Sequence, residues 1–211
     1  MEQCGPYSSA MPFYSLEDVI PVVDPSAYVH PTAVLIGDVI VGPGCYVGPL
    51  ASLRGDFGRI EMEAGSNLQD SCVVHGIVNG NTRIGVNGHI GHGAVLHGCV
   101  IERDALVGMN AVVMDEAVIG ERSIVGPCAF VRAGFLVPAQ TLALGVPARV
   151  VRPLNDEDMT GKLEATRAYQ DLTRRCLASL KEAQPLMALD ADRPALKAPN
   201  VRTLTGSKRS G

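Results

Sequence analysis

The sequence predicts an all-β fold, a left-handed parallel β-helix of hexapeptide repeats, followed by a C-terminal α-helix. Three observations support this fold: aliphatic residues recur every sixth position, glycine is abundant while aromatic residues are scarce, and the spacing becomes helical near the C-terminus. The 211 residues include 23 Gly, no Trp and 4% aromatic residues. Small and aliphatic side chains must therefore form the core, and the length and composition favour one domain.

The sixfold repeat is the strongest of these signals. An α-helix repeats every 3.6 residues and an alternating strand every two, so neither alone explains a period of six. Three short strands per coil do explain it, each forming one face of a triangular prism whose coils stack about 4.8 Å apart. A β-sandwich of short strands is the alternative, but it would not keep this phase. The predicted interior residues are Val29, Leu35, Val41, Val47, Leu53, Met62, Leu68, Val74, Ile84, Ile90, Leu96, Ile101, Val107, Val113, Ile119, Val125 and Val131.

Two irregular steps interrupt the repeat. The step from Leu53 to Met62 has nine residues and the step from Val74 to Ile84 has ten. The extra residues must leave the prism, so we expect loops at 55–58 and 78–81. Loops on a rigid scaffold often carry functional residues.

The ends of the chain differ from the repeat. We predict an N-terminal tail over 1–12, the β-helix over 13–152, a helix over 153–185 and a flexible tail over 186–211. The helix begins at Asn155 or Asp156. Its apolar positions are Leu163, Tyr169, Leu172, Cys176 and Leu180. We expect it to pack on the prism.

Charge and hydropathy limit the possible partners. A net charge of -4 provides no basic surface for nucleic acid. The sequence contains no apolar stretch long enough to span a bilayer and no signal-peptide pattern at its start. We therefore predict a cytoplasmic protein that binds neither nucleic acid nor membranes. Its six cysteines form no C-x-x-C pair, and we expect free thiols that mostly serve as small core residues.

Histidines at two positions of the repeat form a candidate metal site. His75 follows the interior residue Val74, and His97 follows Leu96. Their separation of 22 residues equals one coil plus four looped-out residues, so the two imidazoles should stack one strand spacing apart. Two stacked imidazoles can bind one metal ion, with Zn–N distances of about 2.0 to 2.1 Å.

A third histidine, His92, lies on the preceding face and should not reach the same ion within one chain. In a threefold homotrimer it can meet His75 and His97 of the next subunit. Three nitrogens with an open fourth position are typical of catalytic Zn²⁺, and Co²⁺ or Fe²⁺ would also be accepted. The alternative is that all three are ordinary surface or core histidines. His30 and His89 are assigned to that class, with His89 either supporting the site or structural.

Longer strings show a family resemblance. Leu53-Arg54-Gly55-Asp56, Asn67-Leu68-Gln69-Asp70, Val74-His75-Gly76, Gly91-His92 and Leu96-His97-Gly98-Cys99 resemble the γ-class carbonic anhydrase family, over about residues 13–182. Ile36–Val39, Arg54–Arg59, Asn87–Gly93 and Tyr169–Leu172 are most similar to its phenylacetate-degradation and carnitine-operon members. Met11–Tyr14 and Asp56–Arg59 favour the phenylacetate-degradation members.

The resemblance implies a role for each matching residue. His75, His92 and His97 match metal ligands, with His92 contributed by the adjacent subunit. Gln69 and Asn67 match residues that position water and substrate. Arg54 and Asp56 match a pair that bridges subunits near the site, with Asp70 beside it. The alternative for Arg54 and Asp56 is a surface ion pair worth under about 1 kcal/mol.

The function implied by this resemblance is metal-dependent hydrolysis. Zinc-bound hydroxide would attack an acyl-CoA thioester of phenylacetate catabolism, with Gln69 or Asn67 steadying the oxyanion. The alternatives are hydration of CO₂ to bicarbonate, a metal-stabilised scaffold, and a CoA acyltransferase, for which Gly145–Arg149 resembles the chain exit. Efficient carbonic anhydrases of the family carry acidic loop residues for proton transfer. Here Phe57 follows Asp56 and residues 77–83 contain no carboxylate, so we predict that thioester cleavage outweighs CO₂ hydration.

Overall fold

A computed structural model describes residues 13–196, which form a parallel β-helix followed by an α-helix. The predicted hexapeptide fold is confirmed, whereas the predicted 1–12 tail and residues 197–211 lie outside the described part. The strands are β1 (Phe13–Tyr14), β2 (Val22–Val23), β3 (Tyr28–Val29), β4 (Val34–Val41), β5 (Tyr46–Val47), β6 (Ser52–Met62), β7 (Asn67–Leu68), β8 (Val73–His75), β9 (Thr82–Ile84), β10 (His89–Ile90), β11 (Val95–His97), β12 (Val100–Ile101), β13 (Leu106–Val107), β14 (Val112–Val113), β15 (Val118–Ile119), β16 (Ile124–Val125), β17 (Phe130–Val131), β18 (Leu136–Val137), β19 (Thr141–Gly145) and β20 (Ala148–Pro153), and the helix is α1 (Asp156–Ser179).

The strands form three faces of a prism. The first face stacks the beginnings of β4 and β6 with β8, β11, β14 and β17, and the second stacks their ends with β9, β12, β15 and β18. The third face is a separate eight-stranded sheet from β3 to β20. Because β4 and β6 continue from the first face to the second, those two faces belong to one twelve-stranded sheet.

The core contains the residues that the sixfold repeat predicts. Each of the 17 predicted interior residues is at most 1% exposed, and burial of each is worth about 1.5–3 kcal/mol. Alanine and cysteine fill narrow positions beside them, including Cys45, Cys72 and Cys99. The cysteines within residues 13–196 are free, as expected, although Cys128 is exposed and Cys176 half-buried.

The two irregular steps have different structures. The prediction of a loop at 55–58 is wrong, because β6 continues through this segment. The register passes from Gly37 opposite Gly55 to Val39 opposite Ile60, so residues 56–59 form a wide bulge opposite Asp38. Gly55 permits this close pairing, since a Cβ there would lie 2.4 Å from the Asp38 carbonyl oxygen. The second step is the predicted loop, with a turn at Val78 and Asn79.

The C-terminal helix packs on the third face through polar side chains. Asn155 begins it with a capping box, its side chain accepting from the Asp158 backbone N–H. The helix is shorter than the predicted 153–185, because β20 extends to Pro153 and the helical backbone ends at Ser179. Lys162, Thr166 and Thr173 are buried, whereas the predicted packing residues Leu163 and Leu180 are exposed. The helix contacts β3, β5 and β7. Among residues 13–196 no helix is long and apolar enough to cross a membrane.

Candidate functional site

Three outward side chains stack where the first face turns into the second. Arg54 lies opposite His75, and His75 lies opposite His97, on β6, β8 and β11. The interior residues Leu53, Val74 and Leu96 stack immediately before them and set this register. The predicted stacking of His75 and His97 on neighbouring coils is therefore present in the structure.

The two imidazoles, hereafter the histidine pair, have two nitrogens facing each other. His75 Nδ1 lies 3.1 Å from His97 Nε2. Two nitrogens bound tetrahedrally to one zinc ion would be about 3.3 Å apart, given Zn–N distances of about 2.0–2.1 Å. The geometry of the histidine pair thus fits two ligands of one ion.

Each imidazole of the pair contacts a carboxylate through its other nitrogen. His75 Nε2 lies 2.9 Å from Asp56 Oδ1, and His97 Nδ1 contacts Asp115 Oδ1. A carboxylate that accepts the ring N–H fixes the tautomer and leaves the second nitrogen as a lone-pair donor. This arrangement leaves the two facing nitrogens available for a metal ion.

Asp56 links the histidine pair to Arg54. Arg54 donates to Asp56 Oδ2 over 2.5 Å, while the other carboxylate oxygen contacts His75. Partial burial opposes ionisation, but the hydrogen bonds from Arg54 and His75 outweigh it and lower the pKa of the Asp56 carboxyl. Asp56 is therefore an anion at neutral pH, and it can hold the proton of His75 on Nε2.

His92 lies at the opposite edge of the first face. It occupies the turn between β10 and β11, and its Nδ1 lies 3.1 Å from Asp70 Oδ2. The Tyr169 hydroxyl of α1 lies 3.3 Å from His92 Nε2. Within one chain, the described residues contain no group of three or more His, Cys, Asp or Glu side chains that could hold a metal ion. The chain therefore presents two separate parts, the histidine pair and the His92 corner, defined by His92, Asp70 and Tyr169.

The two amides predicted to position substrate lie beneath α1. Asn67 is 1% exposed and Gln69 is 3% exposed. Gln69 Nε2 donates to Asn67 Oδ1 over 3.0 Å and lies 2.8 Å from His89 Nε2. In the single chain these amides hold His89 on the third face, apart from the histidine pair. Their assignment to water or substrate stays a prediction.

Comparison with known proteins identifies the family. The carnitine operon protein CaiE of Escherichia coli K12 is 57% identical over 187 residues, covering 89% of this chain and 95% of that protein. CaiE of Proteus sp. strain LE138 is 58% identical over the same length. The chain belongs to the CaiE family of hexapeptide-repeat proteins. A bacterial transferase hexapeptide model with six repeats also matches residues 98–133.

Solved structures place this CaiE-family chain beside hexapeptide proteins with transferase designations. A Bacillus cereus protein designated an acetyltransferase superposes with a TM-score of 0.79 and 29% identity, over 81% of this chain and 99% of that one. A hexapeptide transferase family protein from Anaplasma phagocytophilum gives 0.74 and 34% identity, over 78% and 97%. These likenesses agree with the parallel β-helix described above.

His89 is the most deeply buried histidine of the CaiE-family chain among the described residues. Burial, together with the nearby Lys162 and His92, lowers the pKa of His89 to about 3. Burial also lowers the pKa of Lys162 to about 8, although Asp104 at 3.5 Å opposes this shift. His89 is therefore a neutral residue whose ring nitrogens contact Asn67 and Gln69.

The neutral state of His89 predicts a pH dependence of folding. The imidazole of His89 has a pKa of about 6.5 in the unfolded chain and about 3 in the folded chain. Between these values only the unfolded chain binds the proton, so the contribution of His89 to the free energy of unfolding is fully present above pH 6.5 and is lost as the pH falls. Replacing His89 by Gln should reduce the slope of the unfolding free energy between pH 6 and 5 by about 1.4 kcal/mol per pH unit. Urea unfolding of the metal-free protein at fixed concentration measures this slope. His30→Gln is the comparison: partial burial lowers the pKa of His30 as well, so the slope should fall there too, but less than in His89→Gln. Equal slopes in wild type and His89→Gln would contradict the assignment.

Two residues beside the candidate ligands are absent from the predicted site. Asp115 lies 18 residues after His97, which is one coil, so the repeat contains the signal that could have revealed it. Tyr169 was predicted as an apolar residue of the helix, but its hydroxyl contacts His92 and its ring packs edge-on against His89 at 5.5 Å. His92 and Tyr169 are 77 positions apart in the sequence, and no periodic pattern predicts this contact.

Proposed function

We propose that the chain assembles as a homotrimer and acts, with bound Zn²⁺, as a hydrolase of acyl-CoA thioesters. The observation that carries this proposal is the histidine pair, whose facing nitrogens lie 3.1 Å apart while carboxylates hold the other two. Co²⁺ or Fe²⁺ would also suit imidazole ligands. A general base needs one histidine, whereas a metal ion explains two that face each other.

The first face supports the trimer. Its outward side chains form a register-aligned column that is mostly apolar and is not on the face that α1 contacts. The column consists of Val34, Ser52, Val73, Val95, Val112 and Phe130. The histidine pair and His92 lie at opposite edges of this face, so in a closed threefold ring each histidine pair would meet a neighbour's His92.

A metal ion held by three imidazoles with an open position would supply Lewis acidity, polarising a carbonyl and making water acidic near neutral pH. The chain's own carboxylates prepare the ligands. Asp56 holds the proton of His75 on Nε2, and Asp115 holds that of His97 on Nδ1. His92 forms an ion-pair contact with Asp70, its Nδ1 lying 3.1 Å from Asp70 Oδ2, and its Nε2 faces the Tyr169 hydroxyl. His75 and His97 are thus oriented without a change of tautomer, whereas His92 would exchange the Tyr169 hydroxyl for the ion at Nε2.

Two features favour thioester cleavage over CO₂ hydration. The two carboxylates beside the histidine pair, those of Asp56 and Asp115, already contact the imidazoles. Residues 77–83, which follow His75 in the sequence, contain no carboxylate. Rapid CO₂ hydration requires a positioned group that exports a proton. From the resemblance we propose aromatic acyl-CoA thioesters of phenylacetate catabolism as substrates. From the name of the relatives, carnitine operon protein, we also propose thioesters of betaine acids. The phenylacetate assignment and the cytoplasmic location stay predictions.

The test is a panel of acyl-CoA thioesters, aromatic, betaine and short aliphatic, assayed beside CO₂ hydration with metal-loaded protein. We expect thioester cleavage that a chelator abolishes and Zn²⁺ restores. Val78→Glu, at an exposed loop position, should raise CO₂ hydration, and it avoids the positive φ of Asn79. Val78→Gln is the matched control. CO₂ hydration near the diffusional ceiling of about 10⁸ M⁻¹s⁻¹, without thioesterase activity, would contradict the proposal.

Acyl transfer is the second candidate, because the two structural neighbours carry transferase designations. An acyltransferase would use one histidine of the pair as a general base, with Asp56 or Asp115 orienting it. Such an enzyme releases CoA only when an acceptor is present and is insensitive to chelators. The same panel, with amine and alcohol acceptors added, therefore separates the two functions. A trimer that binds metal but cleaves and transfers nothing would favour the scaffold.

A further inference from the structure

A cavity that opens to solvent lies along the corner that carries the histidine pair. Its volume is about 230 Å³, and it is lined by Leu16, Glu17, Val19, Gly37, Asp38 and residues 55–58. Asp56 belongs both to this lining and to the histidine pair, through its contact with His75. The Phe57 ring also joins the two, with its centroid 5.3 Å from that of His75. A molecule held at the histidine pair can therefore extend into the cavity.

The backbone of two strands forms one wall of the cavity. A Cβ on Gly37 would lie 2.7 Å from the Gly55 carbonyl oxygen, so the strands approach too closely for side chains there. The space is bounded instead by the exposed apolar side chains of Leu16, Val19 and Phe57. A closed cavity of about 150 Å³ can hold benzene, and the present cavity, which is open to solvent, has about 230 Å³. The cavity can thus receive a group of about one ring with a short linker.

Charges around the cavity restrict the ligand further. Three acidic residues, Glu17, Asp38 and Asp56, belong to its lining. Arg59 pairs with Asp38 at 3.1 Å and Arg54 with Asp56, but neither arginine is part of the lining. Carboxylates repel anions at short range. The phosphates of CoA and acyl chains that end in a carboxylate are therefore disfavoured as occupants.

We infer that this cavity is the acyl pocket of the enzyme. It binds a mainly apolar acyl group of about one ring in size that carries no negative charge, while the thioester carbonyl lies against the histidine pair. This inference rests on the proposed thioesterase function and deepens it, because it names the acyl class. Val19 and Leu16 then determine acyl specificity, although they lie outside the candidate metal ligands.

The test enlarges one wall residue and leaves the histidine pair intact. Val19→Phe should lower kcat/KM for phenylacetyl-CoA about tenfold while acetyl-CoA changes little, since a pocket that loses space discriminates by about 10 to 200-fold. Ile20→Phe is the control, because Ile20 is exposed beside Val19 and does not line the cavity. Succinyl-CoA should be a poor substrate of the wild type. Equal losses for both acyl groups, or succinyl-CoA cleaved as fast as phenylacetyl-CoA, would overturn the inference.

A binding measurement separates this inference from the proposed function. A non-hydrolysable thioether analogue of phenylacetyl-CoA can be titrated by calorimetry into metal-free wild type and both variants. We expect Val19→Phe to weaken binding about tenfold and Ile20→Phe to leave it unchanged, whether or not the protein hydrolyses any thioester. If the panel is hydrolysed while all three proteins bind the analogue equally tightly, the thioesterase function stands and the acyl pocket is refuted. If no thioester is hydrolysed while Val19→Phe alone weakens binding, the pocket stands and the thioesterase function is refuted.

Discussion

Chains carrying His92→Ala and chains carrying His97→Ala should regain about a quarter of wild-type metal content and activity when they are unfolded and refolded together. Each variant alone should bind little metal, because every site lacks one imidazole. In mixed trimers some interfaces join an intact histidine pair from one chain to an intact His92 from the next. With equal amounts, half of the chains supply each part, so about one interface in four is complete.

This result depends on the separation of the histidine pair and the His92 corner within one chain. Metal analysis and thioesterase assays after size-exclusion chromatography measure it, with a mass tag on one variant to show that the trimers are mixed. A mixture of His75→Ala and His97→Ala chains is the matched control, because both changes damage the same half and no interface becomes complete. Recovery in the control, or none in the test mixture, would refute a site shared in this way.

Replacing Asp115 by Ala should weaken Zn²⁺ binding about 10- to 100-fold, since this is the usual cost of losing a carboxylate that orients a ligating histidine. Without Asp115, His97 Nδ1 loses its hydrogen-bond acceptor, and the ring can adopt the other tautomer or rotate. Competition with a chromophoric chelator measures the affinity directly and does not depend on catalysis. The role is one of positioning, because Asp115 contacts His97 rather than the ion.

Two control variants separate positioning from general effects of charge. Asp115→Asn keeps an oxygen acceptor at the same place and should recover much of the affinity. Glu121→Ala removes a carboxylate near the surface of the next turn and should leave metal binding unchanged. If the Ala variant binds Zn²⁺ as tightly as wild type, the contact of Asp115 with His97 has no role at the site.

The fold was predictable because each coil repeats the same physical requirement. An interior residue such as Leu53, Val74 or Leu96 must point into the prism, and inward-pointing residues on successive faces are six positions apart in the sequence. Counting from these positions also predicted that His75 and His97 stack. Their partner Asp115 lies one coil further along the same count. It was missed because a carboxylate on the outer surface need not point toward any particular neighbour.

Other features depended on contacts that no period describes. The bulge of β6 requires pairing of Gly55 with Asp38, which is a property of the backbone in three dimensions. The helix packs through Lys162, Thr166 and Thr173, because the third face beneath it presents polar groups such as His89. An amphipathic pattern would instead bury leucines. The contact of Tyr169 with His92 follows from this packing and could not be predicted from either segment alone.

The loop at 78–81 lies outside the stacked strands, so its length can change independently of them. His75 and His97 keep their positions through the pairing of β8 with β11, while the connecting loop leaves that ladder and returns at Thr82. Residues can be added to or removed from the loop without shifting the register of the coils on either side. The wall of the neighbouring acyl pocket likewise includes a segment, Leu16 to Val19, that precedes the first complete coil. Part of the pocket wall, Leu16 to Val19, is therefore encoded in a different stretch of the chain from His75 and His97, and laboratory evolution could alter that part while the ligands stay fixed.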